Sequence, residues 1–239
     1  MPKRCLIIGA SGEIGCKTTE LLAAEGYEVA VHYHLNDKAI DELKQRIASE
    51  KWLGAYKGDL STASGLDDLL NKLPAHFDAV VFAQGNHSSK LLQDLTSLEM
   101  DEMYYVHVKS LWLITNKLLP SMISNKSGAI VVVSSVWGEE GASTEVVYSS
   151  VKGAQISFVK GLAKEAAPSN IRVNAVTPGL IATKMNDHLS SEDMDMLKNE
   201  IPLGRPGTCE EVAQAILFLL NKQSGYITGH TLRVNGGWY

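Results

Sequence analysis

Hydrophobic positions along the chain follow two periods that alternate from end to end. Short runs rich in β-branched residues recur at Arg4–Ile8, Glu28–Tyr33, Ala55–Lys57, Ala79–Ala83, Ala129–Ser134, Arg172–Val176 and Thr231–Val234, and segments with helical spacing fill the gaps. Seven strands are therefore predicted. The run Ala129-Ile-Val-Val-Val133 is apolar at every position, as expected of a strand covered by helices on both faces. Together these features predict an α/β fold, a doubly wound parallel sheet. No repeat, low-complexity tract or Pro/Gly/Ser linker divides the sequence, so a single domain over 1–239 is expected. The stretch Thr183–Glu200 is polar, Met-rich and weakly periodic, and reads either as a short helical lid over the strand ends or as a plain surface connection.

Composition narrows the class. Of 239 residues, 45% are hydrophobic and 21% charged, which suits a chain with a large buried core. A formal net charge of -5 argues against a nucleic-acid surface. The N-terminal apolar run breaks quickly into glycines, so it reads as a first strand rather than a signal peptide or membrane span, and a cytosolic protein is expected. Cys5, Cys16 and Cys209 are far apart in sequence and read as free thiols. His32 and His34 share a strand face but have no third ligand near them, so no metal site is expected.

Candidate chemistry begins at Gly9-Ala-Ser-Gly12-Glu-Ile-Gly15, which follows the first strand and opens a helix predicted over Glu13–Glu25. Glycines there let backbone N–H groups approach a pyrophosphate, and the helix N-terminus adds a positive end. Gly9, Ser11, Gly12, Ile14 and Gly15 are the candidate contacts. A fold that selects NAD places Asp or Glu at the end of the second strand to hold the ribose 2′-hydroxyl. Here that edge reads Val31-His-Tyr-His-Leu-Asn36 and no carboxylate appears before Asp37, so NADP(H) is favoured over NAD(H), with His34, Asn36 and Lys38 as candidate partners of a 2′-phosphate. No arginine is seen at this edge. Asp59, at the end of the third strand, is either an acceptor for an adenine amino group or a helix cap before Thr62.

Ser135 ends the strong central strand, and Tyr148 and Lys152, four residues apart, share one face of the next helix. An adjacent ammonium is expected to bring the tyrosine, ordinarily near 10, toward working pH. Ser135 then holds a carbonyl oxygen while hydride arrives from a nicotinamide.

Taken in order, the Gly-rich turn, Gly58-Asp-Leu60, Ser134-Ser135, Tyr148-x-x-x-Lys152, Asn174-Ala-Val-Thr-Pro-Gly179 and Val234-Asn-Gly-Gly237 resemble the short-chain dehydrogenase/reductase family along the full chain. Ile201-Pro-Leu-Gly-Arg-Pro-Gly207 and Tyr226-Ile-Thr-Gly229 are most similar to its 3-oxoacyl-[acyl-carrier-protein] reductases. The resemblance implies a Rossmann fold, catalytic Ser135, Tyr148 and Lys152, and a cofactor contact by Lys152. It also implies cofactor contacts at Asp59, Leu60, Ala83, Gln84, Gly85, Pro178, Gly179, Ile181 and Thr183. Three positions depart from the family pattern: Phe82-Ala-Gln-Gly85 replaces Asn-Asn-Ala-Gly, Glu13 replaces a glycine, and His107 replaces the fourth catalytic residue, an asparagine that holds a relay water. These departures bear on rate more than on fold. His107 reads either as the relay residue or as packing. In the first case it gives an activity limb between about pH 5.5 and 7.5.

A carbonyl substrate, above all a 3-oxoacyl thioester, is implied, with another alcohol, sugar or steroid as the second reading and a feebly active dinucleotide sensor or scaffold as the third. Acyl carrier protein is a further candidate partner: Lys126 is the basic residue read beside the active-site mouth, while Ser169-Asn170 carries no charge at the matching position. Trp137 reads as pocket lining or as packing. A homotetramer is implied, paired through helices near Met103–Leu119 and Tyr148–Ala167, with Trp238-Tyr239 at another contact.

Overall fold

A computed structural model describes residues 3–184 and 190–239. Seven parallel strands form one sheet: β1 (Arg4–Ile8), β2 (Glu28–Tyr33), β3 (Trp52–Lys57), β4 (Ala79–Phe82), β5 (Gly128–Val133), β6 (Ile171–Pro178) and β7 (Thr231–Val234). Their order is β3-β2-β1-β4-β5-β6-β7. The chain therefore winds outward from β1 to one edge, returns to β4 and winds to the other. In such a sheet the carboxyl ends of β1 and β4 border a crevice, because the connections on either side diverge there.

Strand residues alternate between the two faces, and each face has its own core. On one side Ile7, Val31 and Val131 meet Leu22 of α1 (Glu13–Ala24), Leu43 of α2 (Asp37–Gln45) and Ile216 of α9 (Cys209–Leu220). On the other side Leu6, Phe82 and Val132 meet Leu66 of α3 (Ala63–Lys72), Ile114 of α5 (Ser110–Ser124) and Val159 of α7 (Val146–Ala166). The remaining helices are α4 (Ser97–Tyr104), the short α6 (Trp137–Glu140) and α8 (Ser191–Glu200), with a π-helical turn at Tyr105–Lys109 joining α4 to α5. Within the expected cover at Thr183–Glu200, α8 is helical and capped by Ser190, whereas residues 185–189 lie outside the described residues.

Two strands differ from the hydrophobic reading. β3 starts at Trp52 rather than Ala55, because Gly54 takes a φ of +153° at a register shift between Val29 and Ala30, and a glycine there reads as a break. β6 runs on to Pro178, whose missing N–H is harmless at a strand end.

Arg172 of β6 ties the sheet to the end of α9. Its Nη1 donates to the Leu219 carbonyl oxygen at 2.6 Å and to Ser224 Oγ at 2.9 Å, and its Nη2 donates to the Leu220 carbonyl oxygen at 3.2 Å. A cation thus meets the carbonyls that a helix C-terminus leaves unpaired. Arg172→Met is expected to lower unfolding free energy by about 2–4 kcal/mol in denaturant melts, since half-buried carbonyls lose charged donors. A change below about 0.5 kcal/mol, the usual size for surface substitutions, would refute this role.

Candidate active site

At the carboxyl ends of the strands lies a cleft of about 1670 Å³. Ser11, Gly12, Ile14 and Gly15 of the glycine turn line it, as do Asn36, Ala83, Gln84, Gly85, Ser135, Tyr148, Lys152, Pro178, Gly179, Ile181 and Thr183. Sequence-distant candidates are thus brought into one groove. Gly9, His34, Asp59, Leu60 and His107 are not in the lining.

Each of these five has a different place. Gly9 takes a φ of +83° beneath the turn, where a Cβ would meet the Gln84 backbone at 2.6 Å. Leu60 is buried in the core. His34 Nε2 stands 3.9 Å from Asp59 Oδ1. Asp59 does not cap α3: its Oδ1 accepts from the Ser61 backbone N–H at 2.8 Å, and Thr62 is the cap, its Oγ1 accepting from Gly65 N–H. His32 braces the turn, its Nδ1 accepting from Gly9 N–H at 3.3 Å and its Nε2 donating to the Gly58 carbonyl oxygen at 3.1 Å. Burial pushes His32 down to about 4, so this tautomer is held near neutrality.

Glu13, at the start of α1, is exposed and lines the cleft. Its Oε2 accepts from the backbone N–H of Lys184 at 2.7 Å, tying the turn to the residue after Thr183. At the far end of the cleft the lining includes Lys17, Lys38 and Arg46. An arginine does therefore reach this edge, from one residue past α2, where Arg46 Nη1 pairs with Glu20 Oε1 at 2.6 Å. Asp37 is turned away: Tyr33 Oη donates to it at 2.9 Å and Lys57 Nζ at 2.8 Å, and it is not part of the lining.

At the other end, Lys152 Nζ donates to the Val133 carbonyl oxygen at 3.0 Å and stands 5.6 Å from the Tyr148 ring centre. Ser134 Oγ donates to the Lys152 carbonyl oxygen, and α6 packs so tightly that a Cβ at Gly138 would meet the Lys152 backbone at 2.7 Å. The strand end thereby fixes the helix that carries the pair. Burial pushes Tyr148 up to about 12, opposed by a hydrogen bond from Ser135 and reinforced by the charge of Glu145. Burial also lowers Lys152 to about 7. The expectation that the ammonium draws the tyrosine down is corrected here, because burial is the leading cause at both groups and raises the tyrosine.

His107 sits in the π-helical turn, fully buried, with its ring edge-on to Tyr148 at 5.7 Å. Its Nε2 donates to the Asn86 carbonyl oxygen at 3.0 Å, and its carbonyl oxygen accepts from Gln155 Nε2 at 2.9 Å. Among the described residues Nδ1 has no hydrogen-bond partner, and both Nδ1 and Lys152 Nζ stand 3.9 Å from where a Cβ on Gly85 would lie. Burial, helped by the Lys152 charge, holds this imidazole well below its usual range. On that direction a limb at pH 5.5–7.5 is not expected from His107. The amide brace that the family draws from Asn-Asn-Ala-Gly is supplied by Gln84, whose Nε2 donates to the Val106 carbonyl oxygen at 3.2 Å.

Three further features named from the sequence have these positions. Lys126 lies in the turn before β5, at the opposite end of that strand from Ser135, so on this chain it is not beside the cleft mouth. Trp137 both lines the cleft and packs edge-on against Trp238 at 5.0 Å. Trp238 is buried in its own chain's cleft, which leaves only Tyr239 exposed at the C-terminus. The lining also contains His87, Glu145 and Leu197, which the sequence reading did not single out. Glu145 alone offered a signal, a carboxylate three residues before Tyr148.

A family model described as Enoyl-(Acyl carrier protein) reductase matches residues 9–239. The chain belongs to the short-chain dehydrogenase/reductase family. Its relatives include the Uncharacterized oxidoreductase YmfI of Bacillus subtilis, 47% identical over all of both chains. The 3-oxoacyl-[acyl-carrier-protein] reductase FabG of Aquifex aeolicus is 36% identical over 99% of this chain and 97% of its own. Among solved structures, ElxO with NADP bound superposes with a TM-score of 0.88 at 29% identity, covering 100% of this chain and 99% of that one. As a short-chain dehydrogenase/reductase, the chain is an oxidoreductase, and the family supplies a nicotinamide dinucleotide as cofactor. Among the described residues, no helix is long and apolar enough to cross a membrane.

Proposed function

We propose that the protein reduces a carbonyl to a hydroxyl with NADPH in the cytosol, and that its substrate is a 3-oxoacyl thioester. The observation that carries this reading is the convergence of Ser135, Tyr148 and Lys152 at one end of the cleft that the glycine turn opens. The groove fits a dinucleotide. Backbone N–H groups and the α1 N-terminus lie midway, where only glycine is accommodated: a Cβ at Gly15 would meet the Gly9 carbonyl oxygen at 2.3 Å. Bound there, the reduced cofactor supplies the hydride. Tyr148 Oη donates its proton to the carbonyl oxygen, Ser135 Oγ donates a hydrogen bond to the same atom, and Lys152 stabilises the phenolate left behind. His107, through its unpaired Nδ1 near Lys152, is proposed as the acceptor that positions a relay water. Consumption of NADPH with a short 3-oxoacyl thioester, beside a panel of ketones, tests the substrate. A ketone with a higher kcat/KM than the thioester would remove the thioester from this reading.

The cofactor preference is supported by the tied-back Asp37 and by Lys38 and Arg46 in the lining. Arg46→Ala is expected to weaken NADPH binding about tenfold and leave NADH unchanged, as loss of one charged contact to a phosphate implies. Equal Kd values for the two cofactors in the unaltered protein would overturn the preference. His107→Asn keeps an acceptor for the relay water, so its activity profile between about pH 5.5 and 7.5 is expected to match that of the parent. Loss of a limb in that window would show that the imidazole does titrate there.

The assembly proposed is a homotetramer. Tyr104 of α4 and Trp112 and Ile123 of α5 are exposed, which supports a partner on this face.

A further inference from the structure

The wall of the cleft beside Tyr148 holds a histidine–carboxylate contact that carbonyl reduction by Ser135, Tyr148 and Lys152 leaves unused. Glu145 is the residue before the first turn of α7, and His87 follows β4 in the chain. His87 Nε2 stands 2.9 Å from Glu145 Oε2, each side chain is 17% exposed, and both line the cleft. The His87 ring meets the Tyr148 ring edge-on at 5.2 Å, which places the pair next to the proton donor. A carboxylate here has a cost, since its charge opposes formation of the phenolate on Tyr148. An apolar side chain would line the cleft without that penalty. The remainder of the lining near this end includes Trp137, Leu197 and Trp238, which belong to a separate apolar cluster. The catalytic end of the cleft is therefore part charged and part aromatic.

We propose that Glu145, held by His87, is a specificity-determining residue that accepts a hydrogen bond from a donor on the substrate arm next to the reacting carbonyl, while Trp137, Leu197 and Trp238 hold an apolar arm. This rests on the carbonyl-reductase reading and narrows it to carbonyl substrates with one donor-bearing arm, a hydroxyl or the amide N–H of a thioester's carrier arm, and one apolar arm. An ionised carboxylate has room for several donors, and Glu145 Oε2, although 2.9 Å from His87 Nε2, has no hydrogen-bond partner among the described residues. A substrate that covers the pair without offering a donor strips water from it and returns nothing, and polar sites discriminate against such analogues far more sharply than apolar pockets do.

The test uses two ketones with the same apolar arm, one carrying a hydroxyl beside the carbonyl and the other a methyl in its place. Two ratios are read: kcat/KM with NADPH, and Kd by calorimetry on enzyme loaded with NADP⁺, where no turnover is needed. In the unaltered enzyme both ratios are expected to favour the hydroxyketone by about 10- to 100-fold, the range for one charge-assisted hydrogen bond. In Glu145→Ala both are expected to fall to within about twofold of unity. Any change this variant makes to Tyr148 acts on the two ketones alike and cancels in the ratio. Glu145→Gln, which keeps an acceptor, is expected to retain an intermediate preference. Ratios near unity in the unaltered enzyme, or unchanged in Glu145→Ala, would overturn the proposal. A calorimetric preference lost in Glu145→Ala without turnover of either ketone or of a short 3-oxoacyl thioester would support the recognition pair and sink the reductase reading instead.

Discussion

Tyr148→Phe is expected to lower kcat by about 10²- to 10⁴-fold, the usual worth of a positioned proton donor, while the Kd for NADPH stays within about threefold. The substitution removes one oxygen and keeps the ring, so its edge contacts with His87 and His107 survive. The phenol is pushed up to about 12, which keeps it protonated and able to donate at neutral pH. What the site must then accommodate is the phenolate, and Lys152 is the cation within reach, 5.6 Å from the ring centre. Single-turnover kinetics with a saturating carbonyl substrate separates this step from product release. Undiminished single-turnover rates would mean that another group delivers the proton.

Lys152→Met is expected to remove turnover on a similar scale and, at the same time, to make the protein more stable. Lys152 is 4% exposed, and burial lowers it from 10.5 to about 7. Between these values the unfolded chain binds a proton that the folded chain does not, so stability rises with pH from about 7 to about 10.5. Below 7 both states carry the proton and the folded state bears the full cost of a buried charge, on the order of 3–5 kcal/mol by the shift itself. Methionine fills similar space without charge. The variant is therefore expected to be more stable than the parent at pH 6 by a few kcal/mol, with the gap closing by about pH 10. Denaturant melts at both pH values measure it. A variant less stable than the parent at pH 6 would show that the bond to the Val133 carbonyl oxygen outweighs the desolvation.

The sheet was legible because its strands are apolar without interruption. A residue such as Val131, flanked by valine and isoleucine, needs cover on both faces, and the two cores on either side of β5 provide it. Gly54 hid the start of β3, since a glycine at a register shift carries no hydrophobic signal. Tyr148 and Lys152 were legible as one helix face, and Ser135 as a strand end, because local geometry fixes both. What local spacing cannot convey is which distant segments converge. Arg46 enters the cleft ten residues after Asn36, and His87 meets Glu145 across 58 positions of sequence. The direction in which the His107 imidazole is shifted was hidden for the same reason: its type is written in the sequence, but its complete burial beside Lys152 is a product of packing. Lys126 was placed at the mouth without knowledge of which end of β5 it would occupy.

The bond from Lys184 N–H to Glu13 turns one backbone proton into a reporter. Lys184 itself is exposed, and the bond its amide makes is to Glu13. Deuterium uptake at this single position thus follows how often the bond between Lys184 N–H and Glu13 opens. An anion bound beside that carboxylate is expected to change this rate. Binding in the cleft can then be followed at a backbone proton that takes no part in the chemistry.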